Sequence, residues 1–510
     1  MSEKRRIVLN TLANGISQLT AMIMAFVFMP LLIRAFGLTD YGLYLLAGSV
    51  ASYAALLDFG VGTALAKMVA ENAAADNHEG IAVLASTALA FYTVIGFAIA
   101  SLMVLMGVYG GQFFHVNAQG VALLRNLFFI GAVFQLWAWP AATASYVLVG
   151  FQKYTFMAKV ALGVTLGNVA AIVIVLVTHQ GPVFLMGLGG LVGVIGTLFS
   201  VSRARRELRG VVVSPFRAKR TALRSIFMFS WAISVIQIAG VIVYQQTDRL
   251  VLGIFVGAAS ISLYEAAGKF QGFIAQLTGF ATSAVMPMAS HLDAQGRQDS
   301  LASLFVRGSK YTVALVTPVV VTLIVLAKPL ILRWLGPAFV PQAVNAQILI
   351  LPQLFMATAT LGDSIITGQG NLPKRLPYAI AITIANLVLS LLLVQRLGIL
   401  GVVLGTSIPY LVDYPFHVRI QLKLVGISAS RWLREIVLPA YPLLLIPALV
   451  GLGLRETMLM NRLLGVALAG SICVGLYWAA FFWFGLNSAE RSEVHSGLRS
   501  VVSRIIPKSA

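Results

Sequence analysis

Asn10, Asn14, Ser17 and Gln18 follow one another at helical spacing within the first long apolar stretch, so a helix there carries them on one face. Much further along, Ser230, Ser234 and Gln237, then Gln245 and Asp248, draw a second stripe of the same kind. Amides and hydroxyls so placed can replace the hydration of a polar solute, because polar groups in a membrane normally face a bundle interior or a wet cavity. Their other use is packing between helices. Glu265 and Lys269 are four residues apart, on a face shared with Gly272 and Gln276. They can pair with each other, or Lys269 can meet an anionic group when a cavity opens. Asp58, Asp363 and Asp413 also lie in apolar stretches. Each can bind a coupling cation, hold a proton, or pair with a basic neighbour such as Lys67 or Arg419. His417, one turn after Asp413, reads as an interfacial residue.

Enzyme signatures fail on inspection. Asp58-Phe59-Gly60 spells a kinase triplet, but no Gly-rich phosphate loop or catalytic loop accompanies it. Gly187, Gly189 and Gly193 imitate a dinucleotide fingerprint inside an apolar stretch, where close helix packing explains them. There is no HExxH, nucleophile elbow or Walker motif, and the six histidines are scattered. The single cysteine, Cys473, has no partner for a disulfide or a metal cluster. The reading is a non-enzyme with no cofactor and no metal.

The elements that hold these residues are membrane helices. Of 510 residues, 59% are hydrophobic and 10% charged, with a mean hydropathy of +0.90, far from the roughly 25% charged of soluble domains. The spacing predicts an all-α polytopic protein of fourteen spans. Six run from Ile7–Ile33 to Pro182–Val201 and six from Ile226–Tyr244 to Ile399–Val418; Ile436–Leu454 and Leu463–Phe484 follow. Lys4, Arg5 and Arg6 precede an apolar run too long for a signal peptide, which reads as the first span. With both termini in the cytoplasm, the large majority of the 36 Lys and Arg residues fall on the cytoplasmic side. The basic excess is thus an orientation signal rather than a nucleic-acid surface. The expected organisation is an N-lobe over 1–201, a basic linker over 202–224, a C-lobe over 225–420, and two further helices with a tail over 421–510. The linker also suits anionic headgroups. No outer loop is long enough to form a domain.

The two lobes are copies. Gly37, Leu43, Tyr44 and Ala47 recur as Gly257, Leu263, Tyr264 and Ala267, and Gln135, Gly150, Asn168 and Gly187 recur as Gln353, Gly368, Asn386 and Gly405. Six spans per copy insert both in the same direction, giving a parallel repeat with a pathway where the halves meet. Prolines 30, 140, 318, 352 and 409 interrupt spans and could let them bend.

The run Pro30-Leu-Leu-Ile-Arg34-Ala-Phe-Gly37-Leu-Thr-Asp-Tyr41-Gly42-Leu-Tyr44, with Leu57-Asp58-Phe59-Gly60-Val-Gly62 and Gly150-Phe-Gln-Lys153, resembles the polysaccharide transporters of the multidrug/oligosaccharidyl-lipid/polysaccharide exporter superfamily, the Wzx-type flippases. The resemblance is tightest from Asn10 to Glu71. It implies two six-helix lobes around a cationic cavity that moves undecaprenyl-diphosphate-linked oligosaccharides from the cytoplasmic to the outer leaflet of a bacterial inner membrane. The product would be O-antigen, capsule or exopolysaccharide. Its implied partners are the lipid-linked glycan, membrane lipids, H+ or Na+ as coupling ion, and polysaccharide polymerase or assembly proteins. The candidate cavity residues are Asn14, Gln18, Arg34, Gln237, Arg249 and Lys269, with Arg125 a further cation near enough to qualify; the candidate coupling residues are Asp58, Glu265, Asp363 and Asp413. The alternatives are a cation-coupled drug or metabolite exporter of the same superfamily, a peptidoglycan-precursor flippase, whose second-helix sequence differs, a glycan polymerase or ligase, which needs a large outer loop, and a scaffold.

Overall fold

The computed structural model describes residues 24, 26–53, 57–208, 210–230, 247–282, 285–371 and 374–505. Among them the chain is helical, with no strand. In chain order the helices are α1 (Phe26–Phe36), α2 (Leu38–Tyr53), α3 (Val61–Ala74), α4 (His78–Phe113), α5 (Ala118–Gly150), α6 (Tyr154–Val177), α7 (Pro182–Glu207) and α8 (220–230). Then come α9 (Thr247–Phe255), α10 (Ala258–Thr282), α11 (Val285–Ala294), α12 (Gln298–Trp334), α13 (Gln342–Met356), α14 (Thr360–Gly368), α15 (Leu376–Leu397) and α16 (Ile399–Val425). The last are α17 (Ala429–Arg455), α18 (Leu463–Gly485) and α19 (Ser488–Ile505). Among the described residues, nine helices are long and apolar enough to cross a membrane, and α13 with α14 makes a tenth span bent by 54°. Most of the first expected span and of the seventh lie outside the described residues. The second, expected as one helix over Tyr41–Leu65, is instead divided between α2 and α3.

Packing separates two compact units, Met1–Glu265 with Ala379–Gly405, and Ala266–Tyr378 with Thr406–Ala510. In the first, α4 lies along α5, and α5 along α7 and α3. Val61, Leu65, Ile81, Tyr92, Val147 and Ile226 close a core there. In the second, α12 is the central element and packs on α13, α17 and α18. Glu490, in the first turn of α19, accepts from the Asn487 amide while Asn487 Oδ1 accepts from the Glu490 amide, a reciprocal cap. The same carboxylate receives Lys310 of α12 at 2.6 Å, with both side chains at most 8% exposed.

The duplication is written in the corners between helices. Left-handed residues occur in pairs at its offset: Gly37 with Gly257, Asp76 with Gly296, His115 with Gly336, Gln152 with Gly370 and His179 with Gly398. All five are glycine in the second copy, whereas the first copy uses Asp, His and Gln at four of them. Asp and His are among the side chains that enter this region at least cost, so the backbone path has outlasted the residue type. Contacts repeat as well. Gly150 meets the Ala66 carbonyl and Val69, and Gly368 meets the Met286 carbonyl and Ala289, partners that are themselves related by the duplication.

The copies differ at two places: α5 is continuous where the second copy bends between α13 and α14, and the second span breaks in the first copy alone. Phe59 and Gly60 are left-handed, at φ 47° and 68°, and end the second span's first segment, while α10 runs on unbroken from Ala258 to Thr282. The prolines do not set the breaks: Pro140, Pro318, Pro352 and Pro409 all lie inside continuous helices.

Glycine is required where α2 meets the start of α10. A Cβ on Gly42 would lie 1.9 Å from the Ala258 carbonyl oxygen, whereas Gly48, on the same helix, has open space. Gly42→Ala should therefore destabilise the protein by about 1–3 kcal/mol, the usual range for an overpacked site, while Gly48→Ala leaves stability unchanged. Thermal unfolding of the two variants in detergent checks this.

Candidate functional site

Polar side chains gather in three places. The first is the turn between α2 and α3. Asp58 accepts a hydrogen bond from the Tyr92 hydroxyl at 2.5 Å, and from the backbone amides of Gly60 and Gly62. The Tyr146 ring stacks on Tyr92 with centroids 6.1 Å apart. A Cβ on Gly62 would sit 2.0 Å from the Tyr146 ring. The segment Asp58-Phe-Gly-Val-Gly62 is therefore a socket: its acid is held by Tyr92 and two amides, and its second glycine makes room for the tyrosine stack.

The second place joins α9 to α10. Arg249 donates to Glu265 Oε2 through Nη2 at 2.6 Å and through Nε at 3.1 Å, and reaches Ser49 Oγ on α2 at 3.4 Å. Tyr264 donates to Asp248, and Tyr53 to Thr247 at 2.8 Å. The ion pair seen here joins Glu265 to Arg249, sixteen residues away in the chain. The planar fork of Arg249 presents two donors to this carboxylate. Lys269 is half-buried further along α10.

The third place is the bend between α13 and α14. Thr358 turns its hydroxyl onto the Phe355 carbonyl at 2.9 Å, a local bond that competes with the helix ladder. It also meets the Tyr414 hydroxyl at 2.9 Å. Gln421 of α16 donates to the Ala359 carbonyl at 2.7 Å and to Asp363 Oδ1 at 3.0 Å. Against this bend His417 Nε2 lies 2.8 Å from Asp363, its Nδ1 3.5 Å from Asp413, and Arg375 3.4 Å from Asp363 and 3.8 Å from Asp413. His417 is 2% exposed. It is a buried bridge between two carboxylates, because α16 turns this face onto α14.

The structure thus brings Asp363 and Asp413 into one cluster and Arg249 onto Glu265, and it places Asp58 in its own socket. Arg34 and Arg125 are exposed near the end of α1 and on α5. Asn14, Gln18 and Gln237 lie outside the described residues. Sequence reading missed Tyr92, Tyr146, Arg375 and Gln421 as partners. It looked to Lys67 and Arg419 as counterions, whereas Lys67 pairs with Glu71 at 3.5 Å and lies over the Phe229 ring. Polar residues opposite acids on other helices were the available signal, but spacing along one helix does not reveal them. Chemically, the third cluster can hold or pass a proton. Two carboxylates share a histidine and an arginine beside a broken helix, the arrangement membrane transporters use for ion sites.

A family model described as polysaccharide biosynthesis protein matches residues 7–293. An uncharacterized membrane protein of Methanocaldococcus jannaschii is 23% identical over 430 residues, covering 82% of each chain. Among solved structures, the lipid II flippase MurJ in an inward closed conformation superposes with a TM-score of 0.67 at 16% identity, over 93% of this chain and 99% of that one. An inward-facing multidrug resistance MATE family transporter of the MOP superfamily gives 0.61 at 16% identity, over 82% and 96%. At such identities the likeness is one of fold.

Gln421 serves the Ala359 carbonyl and Asp363 together, and it is 1% exposed. Gln421→Leu should cost about 1–3 kcal/mol by removing a buried donor shared by a carbonyl and a carboxylate, read as a lower midpoint of thermal unfolding in detergent. Gln421→Glu, which keeps the shape but removes the donor, should not rescue it.

Proposed function

The chain belongs to the polysaccharide biosynthesis protein family, and from that premise we propose that it is a flippase carrying a lipid-linked oligosaccharide, on undecaprenyl diphosphate, from the cytoplasmic to the outer leaflet. The match over residues 7–293 carries this reading, and the fold shared with a lipid II flippase supports it. In this reading the protein resides in a bacterial inner membrane with both termini in the cytoplasm. Its lobes are residues 1–201 and 225–420, joined by the linker at 202–224. Asn14, Gln18 and Gln237 line the path and hydrate the sugar, while Arg34, Arg249 and Lys269 meet the diphosphate as the lobes rock. The lipid tail stays in hydrocarbon.

The energetics favour the outward direction. Moving negative charge out of a negative interior gains about 2.3 kcal/mol per charge per 100 mV, and consumption of the glycan by polymerase or assembly proteins outside removes product. Coupling to H+ or Na+ is assigned to the acids. Asp363 and Asp413, bridged by His417, are the strongest pair because they flank a helix break. Asp58 and Glu265 are lesser candidates, since among the described residues neither shares a histidine with a second carboxylate. The second reading, a cation-coupled exporter, draws on the MATE-like fold.

Reconstitution in liposomes with a fluorescent undecaprenyl-diphosphate oligosaccharide, scored by access of a quencher, tests the proposal. Leaflet exchange should occur, and should fall by about tenfold in Lys269→Ala, the loss of one charge contact. Asp58→Asn tests the coupling role of that acid in the same way. Exchange that survives both variants keeps the function and discards those residues. Absence of exchange with any glycan lipid, together with uptake of a cationic dye, would replace the flippase with the exporter.

A further inference from the structure

A second basic site lies apart from all three polar clusters, where α5 hands over to α6. A cavity of about 330 Å³ opens there between the start of α6 and the end of α7, lined by Lys153, Tyr154, Thr155, Phe156, Lys159 and Arg203 among others. Three cations face one carboxylate. Glu207 Oε1 serves Lys153 at 3.1 Å and Arg203 at 2.5 Å, and Lys159 is exposed, with no ion-pair partner among the described residues. The Arg203 guanidinium is steadied 6.0 Å above the Phe156 ring, yet its Nε is buried without a hydrogen-bond partner.

The backbone adds donors. The first helical bonds of α6 run from Phe156 and Met157 to the Lys153 carbonyl, which leaves the earlier amides of Tyr154 and Thr155 outside the ladder. Lys153, at the cap position, offers no side-chain acceptor to them. A helix start with free amides, an orphaned guanidinium donor and an excess of positive charge together match a phosphate group.

The surroundings identify what carries that phosphate. Beyond the cavity α6 continues as an apolar wall whose Leu162, Leu166, Val173 and Ile174 are exposed. Such a surface in a membrane helix faces acyl chains. The cavity lies at the end of α7 that continues into the arginine-rich linker, the side to which the charge pattern assigns the cytoplasm. We propose that this cavity binds the phosphate of an anionic phospholipid of the cytoplasmic leaflet, with the acyl chains running down α6. Basic pockets between membrane helices on that side are suited to such headgroups. None of the residues assigned to the translocation path lines this cavity, so the proposal stands or falls independently of the flippase reading.

Native mass spectrometry of the detergent-purified full-length protein, titrated with phosphatidylglycerol or phosphatidylcholine, tests this. The wild type should retain phosphatidylglycerol in preference to phosphatidylcholine. Apparent affinity should fall about fivefold in Lys159→Gln and again by about fivefold in Lys159→Gln/Arg203→Gln, the worth of one basic residue at a lipid surface. Lys159 is exposed and unpaired, so the single variant keeps its fold even if the double does not. Arg462→Gln, a basic residue elsewhere, should retain the wild-type level. Three results would overturn the proposal: equal retention by wild type and Lys159→Gln, equal retention of the two lipids by wild type, or displacement of the lipid by millimolar inorganic phosphate. The last would assign the cavity to a soluble phosphate.

Discussion

A buried polar group inside a membrane has no water to turn to and takes its donors from the protein. At the bend between α13 and α14 the Ala359 carbonyl keeps the Asp363 amide and takes Gln421 as a second donor, and much of the second unit's polar architecture gathers around that glutamine. Gln421 reaches the Ala359 carbonyl only because Gly362 has no side chain, since a Cβ there would lie 2.4 Å from the amide oxygen. The same approach sets His417, one turn earlier on α16, against Asp363, and sets Asp413 one turn earlier again. Arg375 then balances the buried Asp413 and the partly exposed Asp363. One glutamine bonded to both a carbonyl and a carboxylate thus fixes the register of α16 on α14, and that register gathers the charged groups.

Large parts of this fold were legible from the residues. The apolar stretches gave the helices, and the glycines at the offset of the duplication gave the corners, because a left-handed turn leaves a mark in composition. Gly37 and Gly257 are such a pair. At Asp76 and Gly296 the mark survives on one side only, and it is the backbone that reveals the kinship. The site was legible in its members but not in its pairings. Asp363 and Asp413 stood out as acids in apolar surroundings, whereas Arg375 looked like any loop arginine. Spacing along a helix finds neighbours three or four residues away, such as Lys269 for Glu265. Arg249 lies further along the chain and reaches Glu265 through geometry that only the folded helices provide.

The segment Asp58-Phe-Gly-Val-Gly62 is a similar case. Read as a string it mimics a kinase triplet; read as a motif it points to polysaccharide transporters. Its physical content is narrower than either. Gly60 turns the chain, Gly62 makes way for Tyr146, and Asp58 receives the Tyr92 hydroxyl. A short string of this kind can persist because three separate contacts constrain it, whatever else the aspartate does.

The reciprocal cap at the start of α19 bears on how the protein is handled. Glu490 closes the cap with Asn487 and neutralises Lys310 of α12 in a nearly dry setting. Trimming the chain ahead of Ser488 to help crystallisation would strand a buried ammonium on the central helix of the second unit, a far greater disturbance than the loss of a polar tail. An affinity tag or a fluorescent fusion belongs after α19, and a shortened chain made for expression should still include the first turns of that helix.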